Sequence, residues 1–198
     1  MRFLFALVLM FLFLGCTTKV PVSIKYKIDS TPNIEISANS KCSKQSLKIM
    51  QSFSSSLLMS PEMYYVEDSN KIYAYSQAQW AKTPNRIVSD EYFEMLRKLK
   101  LFKAVLNSKS RTRTTWILES KLEDFMQYYE NENSNSYVKV SINLTLLDAK
   151  SLKVIATEVF TSRLDTETLD ANGGVSALNE AVSDILQQSS SWFIKECK

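Results

Sequence analysis

From Trp116 to Leu164 the chain alternates apolar and polar residues through three consecutive segments, the period of a β-strand with one buried face and one wet face. Trp116, Leu118 and Leu122 alternate with Glu119, Lys121 and Glu123, and Val138, Val140, Ile142, Leu144 and Leu146 alternate with Lys139, Ser141, Asn143 and Thr145. The polar run from Glu130 to Ser136 turns the chain between them, and Asp148-Ala149-Lys150-Ser151 makes a tight connection to a third segment, Lys153 to Leu164. The pattern predicts a three-strand antiparallel meander.

Two stretches carry the helical period instead. After Pro84, Val88, Tyr92, Met95 (or Leu96) and Leu99 make an apolar stripe for a helix from about Asn85 to Lys100. Asp90, Glu91 and Glu94 fall early in it and Arg97, Lys98 and Lys100 late, which suits the helix dipole. Gly173-Gly174 opens a last helix, whose face is Val175, Leu178, Val182, Ile185, Ser189 and Trp192. Shorter alternations predict strands at Ile24 to Ile28, at Leu47, Ile49 and Phe53, and at Lys103 to Asn107. Met63 to Val66 and Ile72 to Tyr75, separated by Glu67-Asp68-Ser69-Asn70, read as a hairpin, and Asn33 to Gln45 has a linker composition. The expected fold is α/β, a mixed, largely antiparallel sheet with two principal helices.

The N-terminus reads as an address. Arg2 is followed by an unbroken apolar run, Phe3 to Leu14, that is short of the ~20 residues a membrane-spanning helix needs. Its end, Phe13-Leu14-Gly15-Cys16, resembles the lipobox of bacterial lipoproteins, with Phe13 in place of the usual Leu. That resemblance implies a signal peptide over residues 1–15, removal of it, and acylation of Cys16, including palmitate. Residues 16–45 would form a lipidated tether with a first strand, and residues 46–198 the domain. Thr17, following the Cys, resembles the pattern of lipoproteins released to the outer membrane. The expected location is the bacterial envelope, lipid-anchored and facing the periplasm, with the outer membrane favoured over the inner. Export leaves Cys42 and Cys197 as an even pair in an oxidising compartment, available for a disulfide or present as two thiols.

Composition excludes much chemistry. With 24 Lys and Arg against 21 Asp and Glu, the net charge of +3 offers no concentrated basic surface for nucleic acid. The absence of His removes Ser-His-Asp and Cys-His nucleophile systems and His-ligated zinc. Three glycines cannot assemble a phosphate-cradling loop or a dinucleotide fingerprint. Glu119 and Glu123 share a strand face with Lys121 between them, the composition of a solvated face. No catalytic residue, cofactor or metal is expected.

The most distinctive segment is Ile72-Tyr73-Ala74-Tyr75-Ser76-Gln77-Ala78-Gln79-Trp80-Ala81-Lys82-Thr83-Pro84, followed by the amphipathic helix and Leu101-Phe102-Lys103-Ala104-Val105. It is similar to the signature segment of the ABC-type transport auxiliary lipoproteins, which include the Pqi-type lipoprotein of MCE lipid-transport systems. The acidic-aromatic stretch Leu118 to Phe125 and the late Trp192 match in order, so the resemblance covers about Leu47 to Phe193. It implies an α/β scaffold similar to anticodon-binding and TolB N-terminal domains, without catalytic residues. The function it implies is that of an accessory lipoprotein docking an MCE-domain protein or another ABC transporter component, with a homo-oligomer as one arrangement. An envelope-assembly lipoprotein, either a cell-wall synthase activator or a lipopolysaccharide-assembly partner, would share the anchor and tether. Tyr73, Tyr75, Phe125, Tyr128 and Tyr129 are the candidate partner-binding residues, because aromatic side chains supply large contact area at low entropic cost. Alternate residues of a strand face the core, so about half of this set should be buried.

Overall fold

The computed structural model describes residues 22–34, 40–68, 70–130 and 134–198; Cys16 and the apolar leader lie outside the described residues. In chain order the elements are β1 (Ile24–Tyr26), β2 (Ser46–Ile49), β3 (Phe53–Ser54), β4 (Glu62–Glu67), β5 (Lys71–Trp80), α1 (Pro84–Leu99) and β6 (Ala104–Asn107). The meander follows as β7 (Trp116–Glu130), β8 (Asn135–Asp148) and β9 (Val154–Asp165), and α2 (Ala171–Glu196) closes the chain.

β7 organises a nine-stranded open sheet. One of its edges pairs antiparallel with β8 from Trp116 opposite Asp148 to Glu130 opposite Asn135, and β8 pairs in turn with β9. The other edge takes three short parallel partners in succession. Leu47 to Ile49 of β2 lie beside Trp116 to Leu118, β3 beside Lys121 and Leu122, and Tyr65 and Val66 of β4 beside Gln127 and Tyr128. β6 adds to β2, β5 pairs antiparallel with β4, and β1 runs parallel to β5. The sheet is therefore mixed but largely antiparallel. The two helices touch each other and cover one face, closing a single apolar core.

α1 begins with Pro84 in its first turn, where a missing N–H costs nothing, and ends at Lys100 in a left-handed conformation. Val88, Tyr92, Met95, Leu96 and Leu99 are all buried, so the stripe is wide enough to take both Met95 and Leu96. The dipole argument holds at one end only. Arg97 and Lys98 occupy the last turn, but no acidic residue lies in the first, because the helix starts at Pro84 and Asp90 falls beyond it.

Two departures from the expected alternation have physical causes. Leu47 and Ile49 are buried but Phe53 is 67% exposed, because the strand breaks after Ile49 and resumes in the opposite phase. The inward positions become Ser52 and Ser54, whose hydroxyls donate to the carbonyls of Ser120 at 3.2 Å and Leu122 at 2.6 Å. In β7 a bulge between Leu122 and Asp124 shifts the register by one residue. Leu118, Ser120 and Leu122 face inward before it, and Phe125 and Gln127 after it.

Part of the stretch read as a linker is built into the fold. Lys41–Lys44 form a short 3₁₀ turn, and Cys42 within it is disulfide-bonded to Cys197 just beyond α2, with a Cα–Cα distance of 5.2 Å. The Lys41 N–H also donates to the Cys197 carbonyl at 2.9 Å. Ile28, after β1, packs into the same core as the later strands.

Candidate binding surface

One end of the sheet gathers the tip of the β4–β5 hairpin, the ends of β7 and β9, and the start of α2. Cross-strand pairing places Tyr65 opposite Tyr73, and Tyr129 lies on the neighbouring strand. The Tyr65 ring stacks on Tyr73 with centroids 5.6 Å apart, tilts against Tyr75 at 4.6 Å and meets Tyr129 edge-on at 5.4 Å. These separations lie in the favourable range for aromatic pairs.

Hydrogen bonds fix the cluster to β7 and to the turn that leads into α2. The Tyr75 hydroxyl lies 2.7 Å from both Gln127 Oε1 and the Tyr129 hydroxyl, and Tyr129 donates to the Leu169 carbonyl at 2.7 Å. Gln127, itself buried, donates through Nε2 to Ser136 Oγ at 2.9 Å. Asp170 caps α2 by accepting the Gly173 N–H at 2.9 Å, a bond that holds its carboxyl below the usual range and keeps it anionic. Gly174 lets the helix come this close, since a Cβ there would lie 2.1 Å from Gln127 Oε1. Burial pushes the Tyr75 and Tyr129 hydroxyls up from their ordinary value, so both stay protonated and able to donate at neutral pH. Beside the cluster, a cleft of about 190 Å³ is lined by Ile24, Tyr26, Tyr75, Ala78 and Asp170 to Asn172.

The five aromatic candidates do not form one site. Tyr73 is 42% exposed, while Tyr75 and Tyr129 are half-buried in the same cluster. Phe125 is no surface residue: the bulge turns it into the core, 2% exposed, where it meets the Trp80 ring edge-on. Tyr128 faces the opposite side of the sheet and stacks on Tyr137 at 5.1 Å. Tyr65 escaped the sequence reading. Its signal was its place in the hairpin, opposite Tyr73, where cross-strand pairing brings two aromatic rings face to face.

Asp124, next to the bulge, is 7% exposed. Its Oδ2 accepts from the Tyr128 hydroxyl at 2.7 Å and pairs with Lys139 Nζ at 3.2 Å, while Oδ1 has no partner among the described residues. Burial raises this carboxyl above its ordinary value of 3.8, and Tyr128 and Lys139, which draw it down, do not offset that. The folded state thus holds the proton more tightly than the unfolded chain. The stability this group contributes is complete below 3.8 and is lost as pH rises through its raised value. Urea denaturation of the parent and Asp124→Asn is expected to show the parent gaining on the variant as pH falls from neutral towards about 4. A gap that narrows on acidification would contradict the burial argument.

Among the described residues no His, Cys, Asp or Glu trio is placed to hold a metal, and no helix is long and apolar enough to cross a membrane. The described residues thus form an open sheet with a hydrogen-bonded tyrosine surface at one end. The chain belongs to the ABC-type transport auxiliary lipoprotein component family, whose sequence pattern matches residues 26–188. It is thus an auxiliary lipoprotein of ABC-type transport, a protein of the cell envelope.

The fold is similar to the crystal structure of protein XCC0632 from Xanthomonas campestris, of the DUF330 family. The two share 16% identity and a TM-score of 0.77, over 88% of this chain and 96% of that one. A second crystal structure, of an uncharacterized protein, matches at 12% identity and a TM-score of 0.65, over 89% of this chain and 99% of the other. At these identities the likeness is one of fold. No curated protein matches the chain in sequence.

Proposed function

We propose that the chain is a non-catalytic accessory lipoprotein of an MCE-type lipid-transport system in the envelope. Its leader, residues 1–15, is removed and Cys16 is acylated, in the outer membrane rather than the inner. Burial of each acyl CH₂ contributes ~0.8 kcal/mol to anchoring, and the domain faces the periplasm. It acts by docking an MCE-domain protein or another ABC transporter component through the surface around Tyr73, Tyr75 and Tyr129. The observation that carries this reading is the family match over residues 26–188, combined with a tyrosine surface left open at the sheet end.

The test is capture of partners by the intact lipoprotein from its own envelope. The parent is expected to recover an MCE-domain protein or an ABC permease or ATPase. Tyr73→Ala is expected to weaken that recovery about tenfold with the melting temperature unchanged, the behaviour of an interface anchor. Recovery of a cell-wall synthase or lipopolysaccharide-assembly protein in their place would overturn the transport reading. Mass analysis finding an unmodified Cys16 in the mature protein would overturn the anchor.

A further inference from the structure

The end of the sheet that carries the tyrosines differs in charge from the rest of the molecule. The whole chain has a net charge of +3. Yet strand pairing brings Glu67 and Asp68 at the hairpin tip, Glu130 at the end of β7, Asp165 at the end of β9, and Glu167 and Asp170 between β9 and α2 to this one end. The described cations there are Lys71, Lys139 and Arg163, and each is already paired, with Asp68 at 2.8 Å, Asp124 at 3.2 Å and Glu130 at 3.2 Å.

At this same end, on the face turned away from the tyrosine cluster, the sheet already holds a cation. Arg163 lies with its guanidinium carbon 3.6 Å from the centre of the Tyr137 ring while bonded to Glu130, between an aromatic face and a carboxylate. On the opposite side of the sheet the same two ingredients recur. Tyr65 and Glu67 of β4 project on the same side as Tyr73 of β5, with Asp170 at the nearby start of α2. Apolar surface adjoins them at Leu169, 47% exposed, and Tyr73 itself is 42% exposed.

β1 is parallel to β5, with Ile24 beside Ala78, so it runs away from the hairpin tip. Cys16 precedes Ile24 by eight residues, a span of at most ~28 Å. With Cys16 in the bilayer, as the proposed function has it, a tether of this length keeps the domain, and its acidic tyrosine end, within reach of the membrane surface. Its carboxylates repel anionic headgroups, which disfavours a lipid occupant.

We propose that this end docks a cationic segment of a membrane-bound partner, in which Arg or Lys residues alternate with apolar ones. The segment lies across Tyr73, its cations between the tyrosine faces and Glu67, with Glu167 extending the acidic rim. The inference rests on the docking function above and adds to it the chemistry of the partner.

The experiment uses the full-length lipoprotein in neutral detergent and a fluorescent peptide alternating Arg and Leu, with a Glu–Leu peptide as its counterpart. The Arg–Leu peptide is expected to bind, weakening as salt is raised, and the Glu–Leu peptide not to bind. Binding is expected to fall about tenfold in Tyr73→Ala and about tenfold in Glu67→Gln/Glu167→Gln, and to be unchanged in Glu94→Gln on α1. Equal binding by all variants, or tighter binding to phosphatidylglycerol vesicles than to the peptide, would overturn the inference. Partner capture separates it from the docking function: capture that survives Glu67→Gln/Glu167→Gln refutes the cationic segment alone. Peptide binding without capture by the parent refutes the docking function instead.

Discussion

Replacing Cys42 and Cys197 together by Ala is expected to destabilise the folded domain by about 5 kcal/mol, the chain-entropy value for so long a loop. The bond joins positions 155 residues apart, so it removes far more freedom from the unfolded chain than a local staple would. It also fastens the end of α2 to the 3₁₀ turn ahead of β2, and both cysteines are 2% exposed. For a chain of this size the loss corresponds to a melting temperature lower by about 10 to 15 °C. Thermal unfolding of the oxidised parent, the double variant and the parent refolded under reductant measures it. A variant melting within about 3 °C of the parent would show that the unfolded state already holds these ends together.

Leu99→Ala is expected to cost about 2 to 4 kcal/mol, because Leu99 is 0% exposed at the last turn of α1 and its removal leaves a cavity. The neighbouring core includes Leu96, Leu101 and Leu47, all without exposed surface, so little solvent can enter to fill the space. Urea denaturation should show a lower midpoint with an unchanged slope. A loss below about 1 kcal/mol would mean that α1 shifts to close the gap. The sequence stripe named this residue; its burial is a property of the closed sheet beneath the helix.

The residues that could be read in advance are those whose environment is set within a few positions. The meander was legible because Val138 to Leu146 keep a strict period of two, and both helices because their apolar residues recur every three or four. The hairpin was legible from its turn residues. Where a local event breaks the period, the reading failed. The bulge before Asp124 turned Phe125 inward, and the break after Ile49 left Phe53 in water, since one extra residue exchanges the two faces of a strand.

The candidate surface was legible only in part. Tyr73, Tyr75 and Tyr129 were named from their type, but their meeting depends on β4 entering the sheet beside the end of β7. That pairing, and Tyr65 with it, follows no local rule.

By itself, the sequence determined the strand and helix periods, the absence of histidine chemistry, the signal-like leader and the family. Tertiary structure alone decided that β2, β3 and β4 share one edge of β7. It also decided which tyrosines face each other and that six carboxylates from separate segments meet at one end. The reason is physical. A side chain's preference for water or core repeats with the backbone period and is written locally. Which distant strand fills a given edge depends on the whole chain closing its core and satisfying its backbone hydrogen bonds at once.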